Sequence, residues 1–189
     1  KWMLEELKKK EATEADKQEM IRLGTIASER MTKTIDTFSE IARIDAGQTE
    51  YRFEPLELIN FIDHLIREAE PISSQYGVKL AFDPPAESVT ITADSPRLEI
   101  ALTNLVNNAI KYNRRGGNVT VSIRQLVAAR QVEITVEDTG IGILPADQEH
   151  LFEKYFRSEE AKRANPNGTG LGLYLVRRII TAHHGRIWL

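Results

Sequence analysis

The sequence predicts an α+β fold: a two-layer sandwich in which helices cover a mixed sheet, preceded by an α-helical hairpin that dimerises. Two observations lead to this prediction. Apolar residues recur at steps of three and four in four longer segments, and they alternate with polar residues in four shorter ones. The predicted order of helices and strands is typical of a layered α/β domain.

The composition is that of a globular protein of one or two domains. Of the 189 residues, 41% are hydrophobic and 28% are charged, and the net charge of −3 gives no reason to expect nucleic acid. The sequence has no cysteine, which excludes disulfides, zinc–thiolate sites and cysteine nucleophiles. No apolar run approaches the roughly 20 residues of a membrane span. Any membrane attachment is therefore expected only through regions upstream of this sequence.

Residues 1–47 are predicted to form part of a helical hairpin. Residues 1–9 have the pattern of the end of one helix, residues 10–16 form a polar break, and residues 17–45 form a long helix that stops at Gly47. Its apolar stripe consists of Met20, Leu23, Ala27, Met31, Ile35, Phe38 and Ala42. Because residues 1–9 are too short to cover this stripe, we expect an antiparallel hairpin that forms a homodimer.

Residues 48–189 are predicted to form the second domain. Helices are expected at residues 58–72, ending by Gly77, and from Ser95-Pro96 to about Tyr112, since proline suits the first helical turn. Strands are expected at residues 78–82, 89–93, 119–123 and 132–136. Residues 143–167 are polar and irregular around one short helical stretch, Asp147–Phe156. A helix over residues 171–184 and a strand after Gly185 complete the prediction.

Three polar residues form a stripe on the helix expected after Ser95. Asn104, Asn108 and Lys111 lie at positions i, i+4 and i+7, opposite the core-facing leucines. Amide oxygens and an ammonium group on one stripe suit a magnesium ion and the phosphates that it bridges. Taken alone, such a stripe is more often a solvated polar face.

Two glycine-rich turns follow. Residues 138–142 (DTGIG) come directly after a strand, where glycines allow a ligand to approach the backbone and a carboxylate can accept a hydrogen bond from an exocyclic amine. Residues 168–172 (GTGLG) open a helix, where N–H groups and the helix dipole favour an anion. The second turn lacks the Gly-Lys-Ser/Thr ending of a P-loop, and no strand immediately precedes it as in a dinucleotide fingerprint.

A fourth segment, residues 151–158 (LFEKYFRS), is an aromatic stretch inside the irregular region, for which plain surface packing is the alternative explanation. In order and spacing, NLVNNAIKY, DTGIGI, LFEKYFRS and GTGLGL resemble the asparagine box, first glycine box, phenylalanine box and second glycine box of sensor histidine kinases. These kinases belong to the ATPase superfamily shared with gyrase, Hsp90 and MutL. The resemblance runs from about Phe53 to the end, and residues 17–47 are similar to the second helix of the dimerisation and histidine-phosphotransfer hairpin.

The resemblance implies ATP and Mg²⁺ as ligands. Asn108 would ligate the metal, Lys111 would contact phosphate and Tyr112 would lie against the nucleotide. Asp138 would receive the adenine amino group in a pocket shaped by Gly140 and Gly142.

The resemblance also implies roles for the second glycine box and the phenylalanine box. The second glycine box would hinge a lid, residues 143–167, that is mobile without nucleotide, and would lend N–H groups to phosphates; its residues are Gly168, Thr169, Gly170, Leu171 and Gly172. Arg157 would contact the γ-phosphate. Together with Asn104, Asn108 and Lys111, it would be one of the catalytic residues.

The implied activity is transfer of the γ-phosphoryl group to a histidine, and from there to an aspartate on a response-regulator receiver domain. The sequence has four histidines, His64, His150, His183 and His184, and none lies in the family's His-Glu/Asp-x-x-Thr/Asn-Pro motif. Structural roles are expected for all four, with His183 and His184 at a helix end, where a cation suits the dipole. The acceptor is therefore expected upstream of Lys1, in a cytoplasmic protein or in the cytoplasmic part of a membrane-bound sensor.

Two alternatives remain open. A gyrase- or Hsp90-like ATPase would hydrolyse ATP, but those enzymes place a glutamate where this sequence has Asn104, which cannot accept a proton at neutral pH. A degenerate kinase would act as a nucleotide-binding dimerisation scaffold, against which the four intact boxes argue.

Overall fold

The computed structural model describes residues 13–189, apart from the side chains of Glu29, Arg30 and Ala129. The helix end predicted at residues 1–9 lies outside these residues. The chain divides into two compact units, with the boundary between Gln48 and Thr49. Within residues 13–189, no helix is long and apolar enough to cross a membrane.

The first unit contains one long helix, α1 (Glu14–Asp45). The helix predicted at residues 17–45 is confirmed, but it begins three residues earlier because Thr13 and Asp16 form a capping box. The Asp16 N–H donates to Thr13 Oγ1 at 3.2 Å, and the Thr13 N–H donates to the Asp16 carboxylate at 2.9 Å. Large apolar side chains along α1 are exposed to solvent; they are Ile21, Leu23, Ile26, Met31, Ile35 and Phe38.

The second unit is an α+β domain, and the predicted fold class is confirmed. Its first elements are β1 (Glu54–Glu57), α2 (Leu58–Tyr76), β2 (Lys79–Asp83), β3 (Thr90–Ala93) and α3 (Ser95–Lys111). They are followed by β4 (Asn118–Leu126), β5 (Gln131–Asp138), α4 (Pro145–Gln148), α5 (Glu159–Ala164) and α6 (Gly172–Ala182).

The strands form two sheets rather than the single mixed sheet expected. In the larger sheet, β4 lies between β2, to which it is parallel, and β5, to which it is antiparallel. In the smaller sheet, β1 pairs with β3 in antiparallel register. The sequence did not predict β1, because Glu-Pro-Leu-Glu lacks apolar alternation and becomes a strand only by pairing with β3.

The core joins the apolar faces of α2 and α3 to β3 and β4. Its most deeply buried side chains include Leu58, Ile62, Val89, Val106, Ile110, Val119 and Val121. As predicted, α2 ends at Gly77, whose φ of +66° closes the helix in the left-handed conformation. Asp94 caps α3 by accepting from the Arg97 N–H at 3.1 Å, with Pro96 in the first turn. The strands predicted at residues 78–82, 89–93, 119–123 and 132–136 are confirmed as β2 to β5.

Two element predictions are wrong. The helix expected at Asp147–Phe156 is reduced to the single turn α4, which is followed by turns with i→i−3 hydrogen bonds. A helix could not run to Phe156, because Tyr155 has a left-handed φ of +69° and its N–H donates to the Gly170 carbonyl at 3.0 Å. The strand expected after Gly185 is not formed, since residues 185–189 pair with no strand in the described part of the chain. Apolar alternation alone does not supply the ladder hydrogen bonds that define a strand.

Candidate functional site

Three of the four resembling segments converge around α3. The Ile141 N–H, just after β5, donates to the Tyr112 carbonyl at the end of α3, at 3.0 Å. At the other turn, a Cβ added to Gly172 would lie 3.0 Å from Asn104 Oδ1. The C-terminal half of α3 therefore lies between the two glycine turns.

The polar stripe on α3 stays partly exposed, while the opposite face is buried. Asn104, Asn108 and Lys111 are half-buried, whereas Val106 and Ile110 are fully buried. Asn104 Nδ2 donates to the Ile100 carbonyl at 2.8 Å, which fixes the orientation of this amide. The Asn108 side chain makes no hydrogen bond within residues 13–189, so its amide oxygen is available to a ligand.

The first glycine turn is fixed to the core by close backbone contacts. The Gly140 N–H donates to Asp138 Oδ1 at 2.8 Å, and a Cβ on Gly140 would lie 2.4 Å from the Tyr112 carbonyl oxygen. Only glycine allows this approach. Gly142 differs, because a Cβ there would meet nothing within 4 Å. Glycine suits this position because its φ of +70° is one that other residues rarely adopt.

Side chains beside the first turn form a small polar network. Thr139 Oγ1 accepts from the Asn118 N–H at 2.9 Å, and the Asn113 amide donates to the Asn118 carbonyl at 2.9 Å. Thr139 Oγ1 also donates to Asn113 Oδ1 at 3.3 Å. These bonds join the end of β5 to the start of β4, so the exposed carboxylate of Asp138 projects from a fixed backbone.

The second glycine turn is held by the lid. Gly170 has a φ of +69°, and a Cβ there would lie 2.6 Å from the backbone of Tyr155. The N–H groups of Thr169 and Gly170 have no acceptor within residues 13–189, and they lie just before the N-terminus of α6. The Leu171 side chain is only 2% exposed, so only the backbone of this predicted site residue can face a ligand.

Arg157 is directed into its own loop. Its Nη1 donates to the carbonyls of Gly168 at 3.0 Å and Pro166 at 3.3 Å. Its Nη2 donates to the carbonyls of Ala161, at 2.9 Å, and Asn165. The predicted contact with a γ-phosphate stays a prediction; the binding of four carbonyls is a role that no sequence signal indicated.

The other half of the lid carries an exposed ion pair. His150 Nδ1 lies 2.9 Å from a carboxylate oxygen of Glu153, and this hydrogen bond raises the pKa of His150 above its usual value. The charge of Glu153 adds to this shift, as do those of Glu149 and Asp147. The His150 ring also lies 5.7 Å from the Phe156 ring, measured between centroids.

A second polar centre, which the sequence did not indicate, lies where α3 begins. The Asp94 side chain is buried and accepts from the N–H groups of Arg52 and Arg97 and from the Arg97 guanidinium at 2.7 Å. Burial raises the pKa of Asp94, but these hydrogen bonds and the positive charge of Arg97 outweigh it and hold the pKa below the ordinary value.

His183 belongs to the same centre. Its Nε2 accepts from the Asp94 N–H at 3.0 Å, so its Nδ1 carries the proton and donates to the Ile179 carbonyl at 2.8 Å. The structural role predicted for His183 is therefore found, but as a neutral ring rather than as a cation at a helix end. Its ring also packs edge-on against Tyr51 and Phe53.

Comparison with known proteins places this geometry in a family. Residues 93–189, which contain all four boxes, match the family described as histidine kinase-, DNA gyrase B- and HSP90-like ATPase. The chain belongs to this family. Its similarity to sensor histidine kinases, inferred from the boxes, is confirmed, and the domain is the ATP-binding catalytic domain of such kinases.

Two curated relatives are sensor kinases. The chain is 29% identical over 161 residues to the sensor histidine kinase WalK of Bacillus subtilis, covering 85% of this chain and 26% of WalK. It is 31% identical over 165 residues to the sensor-like histidine kinase SenX3 of Mycobacterium tuberculosis, covering 86% of this chain and 40% of SenX3. The chain therefore spans well under half the length of these relatives.

Solved structures show the same fold. The catalytic domain of histidine kinase ThkA superposes with a TM-score of 0.63 at 26% identity, covering 72% of this chain and 86% of ThkA's. Full-length ShkA in complex with AMPPNP gives a TM-score of 0.74 at 23% identity, over 91% of this chain and 35% of that one. ThkA in complex with the response regulator TrrA gives 0.64 at 23% identity, over 98% and 49%.

Proposed function

We propose that this chain is the catalytic core of a sensor histidine kinase, which transfers the γ-phosphoryl group of ATP to a histidine and from there to a response-regulator aspartate. The observation that carries the proposal is the convergence on α3 of the two glycine turns, one presenting Asp138 and the other presenting unsatisfied N–H groups. A carboxylate on one side and anion-binding donors on the other match the two ends of an adenine nucleotide.

Adenine would be recognised by Asp138. One of its carboxylate oxygens, Oδ1, holds the Gly140 N–H, and the carboxylate is exposed at the end of β5. The other oxygen can therefore accept from the exocyclic amine that distinguishes adenine from guanine. The fixed backbone of Gly140 and Ile141 gives this acceptor a defined position. Gly142, with its φ of +70°, shapes the turn, and Tyr112, directly after α3, would lie against the nucleotide.

The phosphates would lie between α3 and the second glycine turn. Lys111 supplies a positive charge, and Thr169, Gly170 and Gly172 supply backbone N–H groups at the start of α6. Residues 13–189 contain no cluster of three histidine or acidic side chains that could hold a metal ion. Mg²⁺ would therefore be held by the amide oxygen of Asn108 together with phosphate oxygens and water, and would neutralise phosphate charge.

The geometry at Asn104 favours transfer over hydrolysis. A hydrolysing enzyme needs a base here to activate water, but this side chain is an amide whose nitrogen bonds the Ile100 carbonyl and whose oxygen faces Gly172. Positioning of ATP and neutralisation of charge would supply most of the catalysis.

The acceptor histidine would lie outside this sequence. His64 lies 3.5 Å from Glu68, His150 pairs with Glu153, and both nitrogens of His183 bond the backbone. His184 has a φ of +57° at the end of α6. None of the four lies in the family's acceptor motif, which also keeps the non-kinase scaffold as the second candidate.

Two partners are inferred, one from the exposed side chains of α1 and one from a solved relative. The exposed apolar side chains of α1, including Met31, Ile35 and Phe38, would be covered in a homodimer. A response-regulator receiver domain would be the phosphate acceptor, by analogy with the complex of ThkA and TrrA. The kinase core would act on the cytoplasmic side, whether or not upstream regions attach it to a membrane.

Calorimetric titration with AMPPNP and Mg²⁺ tests nucleotide binding. Asp138→Asn keeps an oxygen for the Gly140 N–H but loses the negative acceptor, so affinity should fall by about 10- to 100-fold, as expected for a hydrogen bond to a charged group. Glu137→Gln, which removes the neighbouring exposed carboxylate on β5, is the control and should bind like the parent. Equal affinity in Asp138→Asn and the parent would remove Asp138 from the adenine role.

Labelling with γ-labelled ATP tests the transfer. The 189-residue chain should not label itself, whereas a chain extended upstream should acquire acid-labile, base-stable phosphate. Histidine label on the short chain would show that one of its four histidines is the acceptor. A longer chain that binds ATP but stays unlabelled would favour the scaffold.

A further inference from the structure

The loop between Tyr155 and Gly170 has an internal structure of its own. Its ends meet where the Tyr155 N–H bonds the Gly170 carbonyl at 3.0 Å, and α5 lies between them. Ser158 caps α5 by accepting from the Ala161 N–H at 3.1 Å. We call residues 156–169 the Arg157 loop, because the guanidinium of Arg157 lies at its centre.

All four Nη hydrogens of Arg157 are committed to this loop. Each Nη group donates to two carbonyls, so the guanidinium connects Ala161 in α5 and the C-cap residue Asn165 to Pro166 and Gly168. The remaining donor, Nε–H, is buried and has no hydrogen-bond partner within residues 13–189. In this arrangement no Nη hydrogen is left for a phosphate oxygen.

Gly168 is shaped to fit the guanidinium. A Cβ added to Gly168 would lie 3.0 Å from Arg157 Cζ and 3.1 Å from both Nε and Nη2. The backbone of the second glycine turn therefore lies directly on the planar face of the guanidinium. This contact fixes the residue immediately before Thr169 and Gly170, whose N–H groups have no acceptor in the described residues.

We propose that Arg157 is a positioning residue that builds the phosphate-binding turn: its guanidinium binds the four carbonyls and so sets the direction of the Thr169 and Gly170 N–H groups before nucleotide arrives. The proposal rests on the proposed function for its ligand, the phosphates of an adenine nucleotide. Carbonyl dipoles surround the guanidinium without neutralising it, so its positive charge also stays at the turn.

Arginine is required at this position for its geometry as well as for its charge. A planar guanidinium offers donors in two diverging directions, whereas the ammonium of lysine is a single point with three donors. Lysine could reach a phosphate but could not join α5 to Gly168. Arg157→Lys therefore separates a carbonyl-binding role from a direct phosphate contact.

Amide hydrogen exchange of the nucleotide-free chain is the test. In Arg157→Met and Arg157→Lys, exchange at Tyr155, Asn165 and Gly168 should accelerate by about tenfold or more, because hydrogen bonds to a charged group hold these turns. Exchange within α3 and β4 should stay unchanged. Arg163→Met, which removes a positive charge from the exposed side of α5, is the matched control and should leave the loop as in the parent.

Nucleotide affinity completes the experiment. AMPPNP binding with Mg²⁺ should weaken about tenfold in both Arg157 variants and in Gly168→Ala, and the double variant Arg157→Met with Gly168→Ala should be no weaker than either single one. Unchanged loop exchange in Arg157→Met would overturn the inference, as would full affinity in Arg157→Lys. If the parent chain binds no AMPPNP, the proposed function is overturned. The exchange rates of the loop amides would still show whether Arg157 holds the loop through its carbonyl contacts.

Discussion

The two glycine turns beside α3 differ in what holds them. The first turn, residues 138–142, rests on the core: Gly140 contacts the Tyr112 carbonyl, and Thr139 bonds to the start of β4. In the second turn, residues 168–172, only Leu171 is buried in the domain. Gly168 and Gly170 contact Arg157 and Tyr155, which are themselves in a loop.

The two turns are therefore expected to differ in rigidity. A turn built on packed helices and strands keeps a fixed shape, which suits recognition of a flat base. A turn whose first residues are held by hydrogen bonds and contacts to loop residues opens at lower free energy, as mobile loops generally do. We expect the first turn, with the proposed adenine acceptor Asp138, to be the more rigid of the two, and the second, proposed for the phosphates, to depend on the Arg157 contacts for its shape.

Gly140→Ala should have the largest effect on stability. Its Cβ would lie 2.4 Å from the Tyr112 carbonyl oxygen and 3.1 Å from Asn113 Cα, both backbone atoms that the core holds in place. We expect a loss of about 3 kcal/mol in the free energy of unfolding. Urea unfolding measures it. Gly116→Ala is the comparison: its Cβ would meet nothing within 4 Å, so only the left-handed φ of +80° should cost stability there, about 1–2 kcal/mol. A parent-like midpoint for Gly140→Ala would mean that the first turn is as adaptable as the second.

Asp94→Ala should cost nearly as much, since it leaves the Arg97 guanidinium and two N–H groups without their buried acceptor. The expected loss is about 3 kcal/mol, the usual result of removing one partner from a buried charged pair. Because the pKa of Asp94 is lowered in the folded state, its contribution is present above the ordinary value of 3.8 and disappears as the pH falls through the lowered value.

Urea unfolding of Asp94→Ala at neutral and at strongly acidic pH measures this contribution. Asp83→Ala, at the exposed end of β2, is the control. A gap between Asp94→Ala and the parent that stays constant into acid would contradict the assigned role of the charge. Arg157→Met, by contrast, should barely change the free energy of unfolding, because its hydrogen bonds lie within a loop rather than in the core.

Asn108→Ala should weaken the Mg²⁺-dependent part of AMPPNP affinity by about tenfold, which corresponds to about 1.4 kcal/mol. The amide oxygen of Asn108 is available on the stripe and suits a hard cation. Titrations with and without Mg²⁺ separate the two parts. Asn107→Ala, one position earlier on α3, is the control. An identical response to Mg²⁺ in Asn108→Ala and the parent would leave the stripe as a solvated face.

Gly170→Ala should lower global stability by only about 1–2 kcal/mol, the cost of placing a Cβ in the left-handed region. The Cβ would also lie 2.6 Å from the Tyr155 backbone, so the loss stays this small only if that part of the loop moves. AMPPNP affinity should fall more clearly than the unfolding midpoint. If Gly170→Ala instead destabilised the domain as strongly as Gly140→Ala, the two turns would be equally rigid.

The smallest expected effect is at the exposed pair of His150 and Glu153. The hydrogen bond from Glu153 raises the pKa of His150, so the pair stabilises the lid below the ordinary histidine pKa, and this contribution is lost as the pH rises through the raised value. Glu153→Gln should lower the pKa of His150, measured by NMR titration of the imidazole. Glu149→Gln, which removes only a nearby charge, should lower it less.

Most of the framework could be predicted from the sequence. The apolar period of α1, α2 and α3, the Ser95-Pro96 start and the alternation of β4 and β5 are local signals, and the structure confirms each of them. The four boxes indicated the family because their residue types and spacing are also local. The glycines of both turns were expected to serve a ligand, which stays a prediction; the close contacts of Gly140 with Tyr112 and of Gly170 with Tyr155 came from the structure.

The failures have a common cause. The helix expected at Asp147–Phe156 was replaced by turns because Tyr155 pairs with Gly170, fifteen residues further along the chain. The Asp94 centre was missed because it joins Arg52, Arg97 and His183, which only the fold brings together. Nothing in the sequence marks such partners.

By itself, the sequence determined the long helices, the strands β2 to β5 and which residue types the site offers. These depend on backbone preferences and on the periodic burial of side chains, which act over a few residues. The tertiary structure decided that Arg157 binds carbonyls of its own loop, that His183 is a neutral acceptor and that the strands divide into two sheets. Each of these depends on hydrogen-bond partners that are supplied by distant parts of the chain, and long-range partners are chosen only when the whole domain packs.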